Sequence, residues 1–194
     1  MRIACPEGWT TLQVTEQPTS EQLEAWWEAM HNDDISVAYA DSFPATLFDF
    51  CLDVARERKR LLICLVDGEV AGAAWLHDLL CGDDGRVHTG WVGLYFLPAY
   101  RGQVAIHLWQ TARQHWEAAG MQHLFAAVNI ANRRSQVFVT RGMRFHRLGI
   151  FAQFTMFHGQ PTDVVLYAMH ADDTSLAWSL AAARAACQMQ GVSA

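Results

Sequence analysis

The chain has 194 residues, 52% of them hydrophobic and 18% charged, which is enough to bury one sizeable core and excludes a disordered polypeptide. Fourteen lysines and arginines against 20 acidic residues give a net charge of −6, which disfavours broad binding to nucleic acid or to an anionic membrane. Five widely spaced cysteines match no zinc pattern, and no apolar stretch resembles a signal peptide or membrane span, so we expect a cytoplasmic protein without a metal.

The N-terminal segment predicts one strand followed by two helices. Residues 9–16 alternate between apolar and polar side chains, as a half-buried strand does. Residues 18–31 begin with a proline and predict a helix, for which Thr19 or Ser20 could be the N-cap. Residues 44–60 predict a second helix, because apolar residues recur at helical spacing and basic residues gather at the C-terminal end.

Residues 60–79 predict a β-hairpin. Its two β-rich segments are separated by Asp67-Gly68, and both of these residues tolerate the positive φ angles of a tight turn. A longer strand follows over residues 87–98 and ends at Pro98.

The C-terminal half predicts two helices and three strands. Residues 101–120 predict a helix that Gly120 closes, and residues 132–142 predict another with Asn132 as its N-cap. The strands cover residues 123–129, 145–157 and 163–170. The resulting order, β-α-α-β-β-β-α-β-α-β-β, combines hairpins with a strand-helix-strand crossover and predicts an α/β fold with a mixed sheet.

The last residues of the chain predict one more helix. The alanine-rich segment after Asp172 and Asp173 favours a helix that packs on the sheet or on a second subunit, which makes a homodimer conceivable. We therefore divide the chain into a domain of residues 1–170 and a helical extension of residues 171–194.

The junction after Pro98 predicts an anion site. A strand ends there and a helix begins near Gly102, so that several backbone N–H groups and the positive end of the helix dipole point to one place. The spacing fits an ordinary strand-to-helix turn equally well.

Three motifs in this order resemble the GNAT acetyltransferase superfamily: "LVDGEVAG", "LYFLPAYRG" before a helix, and "AAVNIANRRSQVFVTRGMRF". The resemblance covers roughly residues 61–157 and extends more weakly from Trp9. It implies a mostly antiparallel sheet flanked by helices, and an acyl-CoA-dependent N-acyltransferase that transfers an acetyl group by direct attack of an amine on the thioester. The implied cofactor is acetyl-CoA or another acyl-CoA, and the acceptor is a small-molecule amine or a protein amine.

The resemblance also implies which residues bind the cofactor. Backbone groups of the central strand would contact pantetheine, and the following loop would wrap the pyrophosphate. Carried over by position, these residues are Leu94, Tyr95, Phe96, Arg101, Gly102, Gln103, Val104, Ala105 and Ile106, with Asn132 from the later motif.

The loop departs from the family pattern at Val104 and Ile106, which occupy the glycine and the glycine-or-alanine positions. Glycine suits such loops because nothing projects from its backbone, so the branched side chains are expected to weaken binding. Val104→Gly is then expected to tighten it. A one-residue shift would place Val104-Ala105 at the last two motif positions instead.

The catalytic positions depart as well. The family commonly places a proton-donating tyrosine four residues before the glycine that corresponds to Gly142, and this chain has Phe138 there. His77, which precedes Asp78, and His88 are candidates for the general base, since histidine titrates near neutrality. Each is equally explained as a surface or hydrogen-bonded residue. Two functions therefore stay open: an acyl-CoA-dependent N-acyltransferase, or a catalytically inactive binding or scaffold protein of the GNAT fold.

Overall fold

A computed structural model describes residues 2–3, 11–32, 43–56, 60–83 and 87–171. In it, eight strands form one mixed sheet in the order β1-β2-β3-β4-β5-β6-β8-β7, and every neighbouring pair is antiparallel except β5 and β6. The predicted mixed and mostly antiparallel sheet is confirmed. The predicted C-terminal helix lies outside the described residues.

The elements follow the predicted order, with a short additional strand at the start. The strands are β1 (Arg2–Ile3), β2 (Leu12–Thr15), β3 (Arg60–Val66), β4 (Glu69–Cys81), β5 (Val87–Phe96), β6 (His123–Asn129), β7 (His146–Phe157) and β8 (Gln160–His170). The helices are α1 (Ser20–Asn32), α2 (Leu47–Arg56), α3 (Gln103–Ala118) and α4 (Arg133–Val137). A 3-10 turn, Pro98–Tyr100, precedes α3, and a π-helical turn, Phe138–Gly142, continues α4.

The helices start where short polar side chains can accept from the backbone. Thr19 Oγ1 accepts from Gln22 N at 3.2 Å while Gln22 Oε1 accepts from Thr19 N at 3.0 Å, so Thr19 rather than Ser20 caps α1. Thr46 Oγ1 accepts from Asp49 N at 3.1 Å at the start of α2. The second helix is shorter than predicted, because Arg60 already pairs with β4 as the first residue of β3.

The turns behave as the glycine positions predict. Asp67 and Gly68 have φ angles of 52° and 90° and join β3 to β4 as a tight hairpin. Gly120 has a φ of 99° and follows α3, where a left-handed residue ends a helix.

The two faces of the sheet carry different cores. α3 packs on one face, with Leu108, Trp109 and Trp116 buried against the even-numbered residues of β3. α1 and α2 pack on the other face, where Trp26 and Phe50 meet the odd-numbered residues. Along β5 the side chains alternate between these faces, with Phe96 on the α3 side and Tyr95 on the other.

No helix within the described ranges is long and apolar enough to cross a membrane.

Candidate active site

The two parallel strands at the centre of the sheet diverge. β5 pairs with β6 over three positions, from Thr89↔His123 to Trp91↔Phe125. Beyond these positions, β5 follows β4 as far as Phe96, and β6 follows β8 as far as Asn129. The sheet therefore opens into a V towards the C-terminal ends of β5 and β6.

A cavity of about 330 Å³ occupies this V. Its two sides are residues 92–94 of β5 and residues 126–128 of β6. One end reaches the α4 segment, at Asn132, Ser135 and Phe138, and we call it the α4 end. The other end lies on the α1/α2 face and is lined by aromatic residues of the α2 region and of β4. We call it the aromatic end.

The start of α3 provides backbone donors close to the α4 end. Gly102 has a φ of 84° and precedes the first helical residue, Gln103. Ile106 N donates to Gly102 O at 3.2 Å and closes the first turn. Among the described residues, the N–H groups from Gly102 to Ala105 have no protein acceptor. A Cβ placed on Gly102 would meet nothing within 4 Å, so the space beside this residue is open, and donor N–H groups at a helix start are suited to an anion.

The branched side chains of the loop point away from these donors. Val104 is half-buried against the core beneath α3. Ile106 packs towards Gly142, where a Cβ would come within 3.1 Å of Ile106 Cγ1. Because α3 begins at Gln103, both side chains turn towards the protein interior and do not cover these donors. The expected weakening of CoA binding stays a prediction.

Arg101 holds the strand end and the loop together. Its Nε donates to Phe96 O at 3.0 Å, and its guanidinium also donates to Tyr95 Oη at 3.2 Å. The guanidinium lies 5.4 Å from the centre of the Tyr95 ring, within cation–π range. Arg101 thus fixes the angle between the end of β5 and the start of α3.

The α4 segment forms its end of the cavity. Asn132 is the N-cap, as predicted, and its Oδ1 accepts from Ser135 N at 3.0 Å. The π-helical turn then places Phe138 next to β5, with its ring 6.2 Å from that of Phe96. Ser135 supplies the one hydroxyl group among the described lining residues, a feature that the sequence did not single out.

The structure separates the two candidate histidines. His77 lines the cavity, and its Nδ1 lies 2.8 Å from Asp78 Oδ2. A carboxylate at Nδ1 keeps the proton on that nitrogen and directs the lone pair to Nε2. His88 lies near the start of β5, beside the β6 residue His123, and is not among the described residues that line the cavity.

The aromatic end consists of residues that the sequence analysis did not single out. Phe50 is 2% exposed and Trp75 is 5% exposed, and their rings meet edge to face at 5.8 Å. Phe43 closes the group, at 6.0 Å from Phe50 and 6.1 Å from Trp75. Trp75 pairs with Gly93, and its indole occupies the space that a β-carbon on Gly93 would need. The glycine in the middle of β5 is the signal that something large covers it.

Comparisons with known proteins agree with this geometry. The model of the acetyltransferase (GNAT) family matches residues 20–149, more than half of the chain. No curated protein sequence matches significantly.

Among solved structures, Mycobacterium smegmatis RimJ in complex with CoA-disulfide is 16% identical, covers 89% of each chain and has a TM-score of 0.69. RimL, a ribosomal L7/L12 α-N-protein acetyltransferase in complex with coenzyme A, is 15% identical, with 90% of this chain and 100% of that chain covered and a TM-score of 0.69. A Salmonella typhimurium acetyltransferase that modifies the N-terminal serine of L7/L12 is 16% identical, with 84% and 96% covered and a TM-score of 0.68.

Proposed function

The chain belongs to the acetyltransferase (GNAT) family, and we propose that its domain of residues 1–170 transfers an acyl group such as acetyl from acyl-CoA to an amine. The observation that carries the proposal is the pair of features at the centre of the sheet. Donor N–H groups at the start of α3 lie next to a V between β5 and β6 that leads through the sheet.

The residues present fit the cofactor. The N–H groups from Gly102 to Ala105 would hold the pyrophosphate, because they have no protein acceptor among the described residues and lie at the start of α3. Backbone groups of β5 from Leu94 to Phe96 would align the pantetheine arm beside the V, and Asn132 would support its α4 side. When bound, acyl-CoA supplies a thioester whose carbonyl carbon can accept the amine nitrogen.

His77 is proposed as the general base. Asp78 orients the ring through Nδ1, so that Nε2 can take a proton from the acceptor ammonium. Both residues lie at a break in the pairing of β4 with β5, because the register shifts between His77 and Leu80 and Asp78 has a φ of 48°. Of the two, His77 lines the cavity, and Asp78 lies behind it as the partner of its ring.

The proton for the departing thiolate needs a different donor from the family's usual tyrosine. Phe138 stands at that position and has no proton to give. Ser135 lies one turn earlier on the same segment and also lines the cavity, so we propose that its hydroxyl donates or relays this proton. The binding geometry itself supplies a large part of the rate enhancement by holding both reactants together.

Phe138 is also the observation that favours the second candidate, a protein that binds CoA without turnover. In that case the V and the donor N–H groups would still bind CoA, and the His77–Asp78 pair would have only a structural role.

Calorimetric titration with CoA and acetyl-CoA tests the binding step, and release of free thiol in the presence of an amine panel tests the reaction. We expect binding and amine-dependent thiol release. Binding without thiol release across the panel supports the second candidate, and no heat at millimolar ligand contradicts both.

A further inference from the structure

We infer that the acceptor is a small monoamine whose body is apolar or aromatic, bound at the aromatic end of the cavity. The inference deepens the proposed function and rests on it. It names the substrate class that the walls around His77 select.

The position of the acceptor follows from the two ends of the cavity. Ser135 lines the α4 end, and the π-helical turn after α4 packs against Ile106 at the start of α3, so a pyrophosphate on the α3 donors and its attached arm would enter from this side. The reacting end of that arm then points through the V to the α1/α2 face. The amine must approach from this face, where His77 of β4 lines the cavity.

The walls at this end are apolar and firmly held. Phe43, Pro44, Phe50 and Trp75 line it, and their rings contact one another and the buried Trp26. The N-cap of α2 at Thr46 places Phe50 one turn into the helix and towards the sheet. An aromatic wall supported in this way keeps its shape when a ligand arrives, and it favours ring stacking or aliphatic contact.

The ionisable groups at the cavity set the charge of the acceptor. Among the described lining residues, His77 is the only ionisable one, and none is Asp, Glu, Lys or Arg. A second cationic group would meet the Asp78 carboxylate only where it already pairs with His77, and a carboxylate next to the amine would lose its hydration with no cationic side chain among the described lining residues. Polyamines and amino acids are therefore disfavoured relative to a monoamine.

The size of the cavity favours a small molecule over a polypeptide. Its volume of about 330 Å³ lies at the lower limit of ligand pockets, which span roughly 300–1,000 Å³, and the acyl end of the cofactor shares this space. A ring or short branched chain with one amine fills what is left.

The experiment compares acceptors that differ in one property, using purified full-length protein with acetyl-CoA. 2-Phenylethylamine and L-phenylalanine share a ring and an amine and differ by a carboxylate. Spermidine tests a polycation, and a serine-initiated peptide tests a protein amine. We expect kcat/KM for 2-phenylethylamine to exceed the other three by about tenfold or more, because buried charges without partners are rejected strongly.

Variants at Trp75 test whether the aromatic end of the cavity determines the preference for an aromatic monoamine. Trp75→Ala is expected to raise KM for 2-phenylethylamine by about tenfold while leaving the Kd for CoA unchanged, since the residue lies at the aromatic end. Trp75→Phe keeps an aromatic surface and preserves the preference if Trp75→Ala fails to fold. Trp116→Phe is the matched control: it removes an indole from the opposite face and is expected to leave KM unchanged.

The outcomes distinguish a failure of the inferred acceptor class from a failure of the proposed function. Equal or higher efficiency with L-phenylalanine, spermidine or the peptide, together with normal CoA binding, overturns the acceptor class alone. The same holds if both Trp75 variants keep the wild-type KM. If the wild-type protein does not bind CoA, the proposed function is overturned as well.

Discussion

The two ends of the cavity are built in different ways. The α4 end uses backbone N–H groups at the start of α3, whereas the aromatic end uses the side chains of Phe43, Phe50, Trp75 and His77. A backbone site depends on where the helix begins and on which way its side chains turn. We therefore expect it to tolerate Val104 and Ile106 in place of small residues, while a side-chain site depends on the identity of each residue.

The largest effect on activity is expected from replacing His77, the proposed general base. His77→Ala should lower kcat by roughly 10²–10³-fold, since a positioned general base contributes about that much, and should leave the Kd for CoA unchanged. Steady-state kinetics and calorimetry measure the two quantities. Added imidazole is expected to restore part of the activity.

The same change at His88 compares the two histidines directly. Because His88 does not line the cavity, we expect its replacement by alanine to alter kcat by less than about threefold. A larger loss for His88→Ala than for His77→Ala would reverse the assignment of the base.

The sequence was sufficient where the structure is set locally. The Asp67-Gly68 turn, the end of α3 at Gly120 and the Asn132 cap each depend on the conformational preference or hydrogen bonding of one or two residues. The order of the elements along the chain, apart from β1, could be predicted for the same reason, because alternation and turn residues mark each element.

The sequence was insufficient where distant segments meet. The V depends on β5 and β6 losing their register after Trp91, which no local pattern records. Phe43, Phe50 and Trp75 could not be singled out from the sequence, because their convergence requires α2 to pack against the sheet. His77 and His88 could not be distinguished, since both stand near the end of a strand and only the pairing shows which one faces the cavity.

Gly93→Ala is the next largest change and acts on the aromatic end. The new methyl group would overlap the Trp75 indole, so we expect a loss of about 1–3 kcal/mol in the free energy of unfolding and a higher acceptor KM. Chemical denaturation and acceptor kinetics measure these effects.

Gly149→Ala is the matched control for Gly93→Ala. A Cβ there would meet Phe151 at an ordinary 3.7 Å, so stability should change little. Equal effects of the two substitutions would show that Trp75 does not occupy the space over Gly93.

Val104→Gly tests the backbone end of the cavity. The sequence pattern predicted tighter cofactor binding, but the Val104 side chain packs inwards against the core. We expect a loss of about 1–2 kcal/mol in stability, from the lost packing and the lower helix propensity of glycine. The Kd for CoA should stay within about threefold of the wild-type value, because the N–H donor is retained.

Thermal unfolding and calorimetry measure the Val104→Gly variant. Gln103→Gly, at an exposed position in the same turn, lowers the helix propensity without removing core packing. It should therefore lower the stability by less than Val104→Gly does. A clear gain in CoA affinity with Val104→Gly would mean that the side chain does obstruct the pyrophosphate.

Gln103→Glu changes the charge at the same end. A carboxylate at the start of α3 interacts favourably with the helix dipole, so the protein should become slightly more stable, by about 0.3–1 kcal/mol. The same charge repels a pyrophosphate, and we expect the Kd for CoA to rise by about tenfold. Gln110→Glu, exposed further along α3, serves as the control and should leave the Kd unchanged.

The smallest effect concerns the far end of β5, where His88, His123 and His170 lie on neighbouring strands. Burial, together with His170 and His88, lowers the pKa of His123 to about 4 from an ordinary 6.5. The unfolded chain therefore binds more protons than the folded one between these two values. The contribution of His123 to stability is complete above pH 6.5 and is lost as the pH falls towards 4.

The half-exposed position of His123 limits this effect to about 1 kcal/mol, because solvent screens the neighbouring charges. Thermal unfolding across this pH range should show a smaller loss on acidification in His123→Gln than in the wild-type protein. An identical slope in wild type and His123→Gln would show that the three histidines do not destabilise the fold at acid pH.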